Sequence, residues 1–211
     1  MVDVKIKSGN KELSGILTIP KNARAIILFA HGSGSSRLSP RNQFVAGVLN
    51  KKGFATLLMD LLTKEEEVVD DRTGELRFDI EFLGERLVLV GDWLKGNDET
   101  KDLSIGYFGS STGAGAALIG ASKNKDIFAV VSRGGRPDLA MDYLDKVSSP
   151  TLLIVGGDDT EVIGMNKEAL KKLNCEKKME IVPGATHLFE EKGALENVAD
   201  LAADWFSRHS K

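Results

Sequence analysis

Hydrophobic and polar positions alternate along two short stretches near the start of the chain. Residues 2–7 and 13–19 show the period of two that is typical of strands with one face in water. Between these stretches, Ser8-Gly9-Asn10 consists of residues that favour a turn. The pattern predicts an antiparallel hairpin.

Later stretches are apolar without interruption, which is typical of strands covered by helices on both faces of a sheet. Such strands are predicted over residues 25–30, 54–59, 103–108, 127–131, 151–155 and 179–182. They are separated by segments in which apolar residues recur at helical spacing. These helical segments cover residues 40–52, 80–95, 112–122, 165–173 and 195–206, with a short helix from residue 138.

Strands and helices therefore alternate after the hairpin. This order is typical of the α/β class, in which a mostly parallel twisted sheet carries helices on both faces. One segment interrupts the order, because residues 61–74 are highly charged and have almost no apolar periodicity. We interpret that segment as a solvated loop, with a flap that contacts substrate as the alternative.

Length and charge limit the possible functions. A chain of 211 residues is consistent with a single domain over residues 1–211, and its net charge of −3 does not favour binding to nucleic acid or to an anionic membrane. Cys175 is the only cysteine, which favours a reducing compartment, and we expect a cytoplasmic protein. No apolar run is long enough to span a membrane, so no membrane partner is expected.

The stretch Gly109-Ser110-Ser111-Thr112-Gly113 fits the pattern G-x-S-x-G and lies between a predicted strand and a predicted helix. In a nucleophile elbow of this kind, the central serine is held on a strained turn above the sheet. Ser111 is therefore the candidate nucleophile. A small-residue turn could match five positions by chance, so the assignment depends on partners elsewhere in the chain.

A serine hydroxyl needs a base that removes its proton, and histidine is the usual base. The chain has three histidines. His209 lies in the charged C-terminal segment, and His31 precedes the elbow and is expected to support its own loop. His187 follows the last predicted strand, so it is the candidate base.

The acid that orients the base is expected at another strand end, between the serine and the histidine. The strand over residues 151–155 leads to two adjacent carboxylates, Asp158 and Asp159. Two neighbouring residues in a turn cannot both face one imidazole. We favour Asp159 over Asp158, and Glu161 is a third alternative. The order serine, acid, histidine is that of the α/β-hydrolase triad.

Acyl transfer also needs donors for the oxyanion. In this architecture one backbone N–H belongs to the residue after the nucleophile, here Thr112, and another to a loop after an earlier strand. The turn His31-Gly32-Ser33-Gly34 is such a loop. We expect Ser33 to supply the second N–H, because glycines on both sides allow the backbone to turn inward.

Together these motifs resemble the dienelactone-hydrolase-like branch of the α/β-hydrolases over nearly the whole chain. The matching stretches are the hairpin, residues 31–34, the elbow, residues 157–162 and residues 185–189. The resemblance implies ester hydrolysis, and the family pattern G-x-D-x-x-V places the acid at Asp159. Dienelactone hydrolases proper have a cysteine in the elbow. Ser111 departs from that pattern, so the resemblance leaves the natural ester open.

The interval between the strands that end at residue 131 and begin at residue 151 is too short for the cap domain that many relatives insert there. We therefore expect an open site without a large cap, suited to small, soluble acyl esters. Arg133 and Arg136 leave the strand next to the elbow helix and could bind an anionic substrate group. The alternative is that they pair with surface carboxylates.

The predicted function is that of a carboxylesterase-like serine hydrolase, which acts through an acyl-enzyme intermediate without cofactor or metal. A catalytically idle binding module of the same fold and an acyltransferase are the alternatives. A dinucleotide site is disfavoured, because the pattern that begins at Gly113 and Gly115 has Leu118 where the third glycine is required.

Overall fold

The computed structural model describes residues 1–210. Strands and helices alternate after an N-terminal hairpin, as the sequence predicts. The strands are β1 (Val2–Ser8), β2 (Lys11–Thr18), β3 (Ala25–Ala30), β4 (Phe54–Met59), β5 (Ser104–Ser110), β6 (Val130–Arg133), β7 (Thr151–Gly156) and β8 (Lys177–Val182).

Seven α-helices are found within the described residues. They are α1 (Pro40–Lys51), α2 (Lys64–Thr73), α3 (Glu75–Phe78), α4 (Ile80–Lys95), α5 (Thr112–Lys123), α6 (Thr160–Lys172) and α7 (Ala194–His209). Two short 3-10 turns, Pro137–Ala140 and Leu144–Lys146, connect β6 to β7. The connection contains no other helix or strand, so no cap domain is inserted there.

The strands form one sheet in the order β1-β2-β4-β3-β5-β6-β7-β8. β1 pairs with β2, and β2 with β4, in antiparallel orientation, whereas the strands from β4 to β8 are parallel. The predicted hairpin and the predicted mostly parallel sheet are confirmed.

Each face of the sheet is covered by its own apolar core. On one face, α1 and α7 bury residues such as Val45, Leu49 and Val198. On the other face, α4 and α5 pack tightly against each other and bury Leu83 and Leu87. The central strands are therefore apolar on both sides, which explains their uninterrupted apolar sequences.

The order of the strands reverses at β3. From β3 the chain moves to β4 on one side, and it returns to β5 on the other side. The connections that leave the carboxyl ends of β3 and β5 consequently diverge. In open α/β sheets such a point leaves a crevice in which ligands bind. Residues 31–34 and Ser111 follow directly at these two strand ends.

The charged segment over residues 61–74 was predicted as a solvated loop, and that prediction is wrong. Most of the segment forms α2, which begins at a capping box: the hydroxyl of Thr63 accepts the Glu66 N–H, and the Glu66 carboxylate accepts the Thr63 N–H. Glu66 also pairs with the buried Arg86 of α4, with Nη2 to Oε1 at 3.0 Å. Caps and ion pairs stabilise this helix, and they leave no apolar period in the sequence.

A second ion pair holds the end of the same segment. Asp70 is 1% exposed and accepts the backbone N–H groups of Leu76 and Arg77 at 2.7 and 3.1 Å. The guanidinium of Arg77 binds the same carboxylate. Burial opposes ionisation of Asp70, but these donors outweigh it and hold its pKa below the ordinary value. The turn between α2 and α3 is thereby fixed.

Several predicted boundaries also differ from the structure, among them the starts of β6 and α6. β6 begins at Val130 and not at residue 127, because its neighbour β7 starts opposite Val130 at Thr151. α6 begins at Thr160 and not at residue 165, so that Val162, which is buried, and Ile163 already belong to the helix. Within residues 1–210, the helices lack the combination of length and apolar character that crossing a bilayer would need.

Candidate active site

Ser111 occupies the sharp turn between the end of β5 and the start of α5. Its backbone has φ 50° and ψ −124°, a region that residues with a side chain rarely adopt. Conformational strain of this kind costs on the order of 1–3 kcal/mol and persists only where the surrounding structure enforces it. The local geometry is that of a nucleophile elbow.

Two glycines allow the elbow to form. A Cβ on Gly113 would lie 2.3 Å from the carbonyl oxygen of Ala30, and a Cβ on Gly109 would lie 2.4 Å from the Cα of Ala114. Both distances are far shorter than any van der Waals contact. The helix α5 can therefore approach β3 and β5 only where side chains are absent.

Ser111, His187 and Asp159 lie in a continuous line of polar contacts. The Nε2 of His187 is 3.4 Å from the Oγ of Ser111, and its Nδ1 is 2.6 Å from the Oδ2 of Asp159. His187 is in the loop after β8, and Asp159 follows β7. The serine contact is at the long end of hydrogen-bond range, as is common without substrate.

The geometry distinguishes among the three acids that the sequence offers. Asp158 and Glu161 are exposed, and neither bonds to His187. Asp159 is the residue that precedes the first turn of α6, but its side chain makes no capping bond to that helix. Its carboxylate is therefore available to the imidazole.

The loop expected to donate to an oxyanion lies directly beside the elbow. The backbone N–H of Ser33 donates to the Oγ1 of Thr112 at 2.8 Å. Thr112 is the first residue of α5, where backbone N–H groups have no partner within the helix. Ser33 therefore contacts the residue that directly follows Ser111, and the Thr112 hydroxyl accepts the Ser33 N–H.

His31 links this loop to the segment after β4. Its Nδ1 is 2.9 Å from the carbonyl oxygen of Gly32, and its Nε2 accepts the Leu61 N–H at 3.1 Å. These two bonds assign the proton of a neutral ring to Nδ1. Burial lowers the pKa of His31, and the Gly32 carbonyl and Asp60 oppose that effect without overcoming it.

A cavity of about 290 Å³ adjoins Ser33 and Thr112. Its walls come from the loop after β3, the end of β4, α4 and the charged segment of α2 and α3. The lining residues are His31, Gly32, Ser33, Gly34, Ser35, Leu61, Leu62, Glu67, Asp70, Asp71, Arg77, Leu83 and Thr112. The residues from α2 and α3 were missed as site residues, and the pattern Thr63-x-x-Glu66 was the sequence signal for that helix.

The carboxylate of Glu67 on the α2 wall has a pKa above its ordinary value. Burial raises its pKa, and the negative charges of Asp60 and Asp71 raise it further. Arg37 and Lys64 act in the opposite direction and do not compensate. The α2 side of the cavity therefore has an acidic character.

The two arginines proposed for substrate binding have different surroundings. Arg136 forms two bonds to Asp138, from Nε to Oδ1 at 2.9 Å and from Nη2 to Oδ2 at 2.8 Å. Arg133 is 7% exposed and contacts Asn42 of α1. Neither arginine lines the cavity beside Ser33.

Comparison with known proteins identifies the family to which this chain is similar. The chain matches the model of the dienelactone hydrolase family over residues 13–210. It is 55% identical to a dienelactone hydrolase from Anabaena variabilis, whose crystal structure superposes with a TM-score of 0.98 and covers 100% of this chain and 98% of that chain. A cold-adapted esterase from an Arctic intertidal metagenomic library shares the fold, with a TM-score of 0.78 and 15% identity over 99% of this chain and 93% of that one.

Two relatives from Mycobacterium tuberculosis strains have a different name. Each is named "Putative phosphoribosyl transferase" and is 53% identical to this chain over 208 residues. The match covers 98% of this chain and 46% of each relative. This chain therefore spans about half the length of those proteins.

Replacing Gly113 with alanine should disrupt the elbow, because the new methyl group would collide with the Ala30 carbonyl. We expect a loss of about 2–4 kcal/mol in the free energy of unfolding, measured by urea denaturation. Gly47 of α1 has open space around it, so Gly47→Ala is the matched control and should add about 0.5–1 kcal/mol. Equal stability of the two variants would contradict the steric interpretation.

Acid should destabilise the protein through His31. The folded pKa lies below the unfolded value of 6.5, so the unfolded chain takes up the proton first and stability falls as pH drops below that value. His31→Asn should reduce the loss of unfolding free energy between about pH 7.5 and about pH 5. His209→Gln serves as the control. An unchanged pH dependence in His31→Asn would show that this histidine does not contribute.

Proposed function

The chain belongs to the dienelactone hydrolase family, and from this membership we propose that it is a serine hydrolase which cleaves small carboxylic esters through an acyl-enzyme intermediate. Membership and fold support a hydrolase. The observation that supports the serine mechanism is the unbroken contact from Asp159 through His187 to Ser111. We assign these residues the roles of acid, base and nucleophile.

In the proposed reaction, Ser111 Oγ attacks the acyl carbonyl while His187 Nε2 takes its proton. The ester C–O bond then breaks, and the same histidine returns the proton to the leaving alcohol. Water next attacks the acyl-serine and gives a proton to His187. The bond between the acyl carbon and Ser111 Oγ then breaks, and His187 returns the proton to Oγ, so that the acid leaves and Ser111 is restored. Asp159 holds the imidazole by Nδ1 and stabilises the cation that forms on it.

We propose that the backbone N–H groups of Ser33 and Thr112 bind the oxyanion of the tetrahedral intermediate. The Thr112 hydroxyl accepts from the Ser33 N–H in the free protein. A substrate oxygen would take over this bond when the hydroxyl rotates away. The Ser33 N–H thus has a hydrogen-bond acceptor before substrate arrives, and it lies next to the nucleophile.

The cavity beside these donors supports a small substrate. Its volume of about 290 Å³ can hold a short acyl or alcohol group, and Leu61, Leu62 and Leu83 give it apolar walls. Arg136 remains a proposed ligand for acidic esters. In that role its guanidinium would exchange Asp138 for a substrate carboxylate, since the existing pair already has the bidentate geometry.

The name of the Mycobacterium tuberculosis relatives leads us to consider phosphoribosyl transfer as a second function. The name describes proteins of which this chain spans 46%. The contacts around Ser111 suit a serine nucleophile in acyl transfer. We therefore assign hydrolysis to this chain and do not extend the relatives' name to it.

Substitution of the acid is a direct test of the proposed triad. Asp159→Asn should reduce kcat toward p-nitrophenyl acetate by on the order of 10³–10⁴-fold, because the amide stabilises the wrong imidazole tautomer. Asp158→Asn is the matched control, since its carboxylate is adjacent and exposed, and it should retain nearly full activity. Loss of activity in the control but not in Asp159→Asn would transfer the role to Asp158.

Labelling with a fluorophosphonate separates catalysis from an idle binding module. The wild-type protein should form an adduct on Ser111, and His187→Ala should slow its formation strongly. Absence of an adduct, or an adduct that does not depend on His187, would favour the idle module. Product analysis with added alcohol would reveal an acyltransferase, because the acyl group would then appear on the alcohol.

The size of the cavity predicts the preference for acyl chain length. In a series of p-nitrophenyl esters, kcat/KM should be highest for acetate or butyrate and should fall for longer chains, which exceed about 290 Å³ together with the leaving group. Leu83→Ala should move this optimum towards longer chains, whereas Leu89→Ala on the exposed side of α4 should not. A wild-type preference for long acyl chains would contradict the assignment of this cavity.

A further inference from the structure

Arg133 is a buried cation without a carboxylate partner among residues 1–210. It lies at the end of β6 and is 7% exposed. Its Nε has no hydrogen-bond acceptor, and its Nη2 makes one long bond of 3.4 Å to the Oδ1 of Asn42. Burial and, to a lesser extent, the neighbouring Arg41 together lower the pKa of its guanidinium to about 10.

An arrangement of this kind is unfavourable in a protein interior. A buried guanidinium normally pairs with a carboxylate, because removal of a charge from water costs several kcal/mol unless partners compensate. The nearby charge is the guanidinium of Arg41, which repels the guanidinium of Arg133. The Nε of Arg41 is also buried without an acceptor.

One exposed carboxylate binds the outer member of this pair, Arg41. Glu190 Oε1 lies 2.9 Å from Nη1 of Arg41, and the Glu190 side chain is 65% exposed. The outer guanidinium therefore already binds a carboxylate that can move into solvent. Arg41 and Phe189 line an open groove of about 370 Å³, and Arg133 is not among its lining residues. The ring of Phe189 lies 5.9 Å from Cζ of Arg133.

We propose that Arg133 and Arg41 form a binding site for a small oxyanion, a phosphoryl or carboxylate group, which displaces Glu190 and enters through this groove. Two guanidiniums with free Nε donors can each bind such a group with two parallel bonds. The amide of Asn42 adds a polar contact on α1. The groove also contains Glu191, Lys192 and Glu196, so its outer part does not attract anions.

The site lies next to the catalytic residues and is distinct from the cavity beside Ser33. Asn42 Nδ2 donates to the Oγ of Ser110 at 3.5 Å, one residue before the nucleophile. The backbone N–H of Ser111 donates to the carbonyl oxygen of Arg133. A bound oxyanion would therefore stabilise the strand ends that carry the elbow. This inference does not rest on the proposed function.

A thermal-shift titration tests the proposal. The full chain is titrated with inorganic phosphate and, in a separate arm, with acetate, against chloride at matched ionic strength. At ten times the dissociation constant, a specifically bound anion should raise Tm by about 3–6 °C. A larger response to phosphate identifies a phosphoryl ligand, and a larger response to acetate a carboxylate. No response beyond chloride in either arm would overturn the proposal.

Variants separate this site from general salt effects. Arg133→Met should remove the anion response while the protein without anion stays as stable as wild type or becomes more stable, because an unpaired buried charge is lost. Glu190→Gln should strengthen the response, since a competing carboxylate is removed. Arg136→Met, whose guanidinium is already paired with Asp138, is the matched control. A full response in Arg133→Met would overturn the proposal.

The tests of the anion site measure anion binding and not ester hydrolysis. The anion site and the proposed hydrolase function can therefore fail independently. Ser111→Ala should show the same anion response as wild type, although it should lack esterase activity. Isothermal titration of phosphate and acetate into Glu190→Gln gives a second measurement that does not depend on the stability of Arg133→Met. An unchanged or weaker affinity in Glu190→Gln would contradict the displacement that we propose.

Discussion

The close approach of α5 to the ends of β3 and β5 is the steric constraint on which the rest of the site depends. The absence of a side chain at Gly113 lets the helix contact the Ala30 carbonyl, and Gly109 does the same against Ala114. Ser111 is consequently held with φ at +50°. The same approach brings the Ser33 N–H to the Thr112 hydroxyl. The positions of the nucleophile, of the loop after β3 and of the start of α5 therefore all depend on this close approach of backbones.

Charge is distributed unevenly around that contact. On the side of α2, the acids are held in place by arginines, as Glu66 is by Arg86 and Asp70 is by Arg77. On the side of α1, Arg133 has no acid partner among the described residues. The elbow thus lies between an acidic wall and a buried cationic centre.

Much of the fold could be predicted from the sequence, because buried parallel strands and amphipathic helices leave a clear apolar pattern. β3 and β4 were located residue by residue. α2 was missed, since its stability comes from the Thr63–Glu66 capping box and from a pair with Arg86, which lies 20 residues further along the chain. The order of Ser111, Asp159 and His187 indicated a candidate triad. The burial of Arg133 could not be predicted, because it depends on how α1 packs beside β6.

The way α2 is attached has a consequence for how this fold can diversify. The helix exposes Val68 and Val69, buries only Asp70, and is held by charged anchors and not by the apolar core. The cavity-facing Glu67 can therefore change without altering the packing of either face of the sheet, whereas Asp70 and Arg77 line the same cavity and also hold the helix. At Glu67 the wall of the cavity can be redesigned or can drift while the core and the ion pairs that hold the helix are kept.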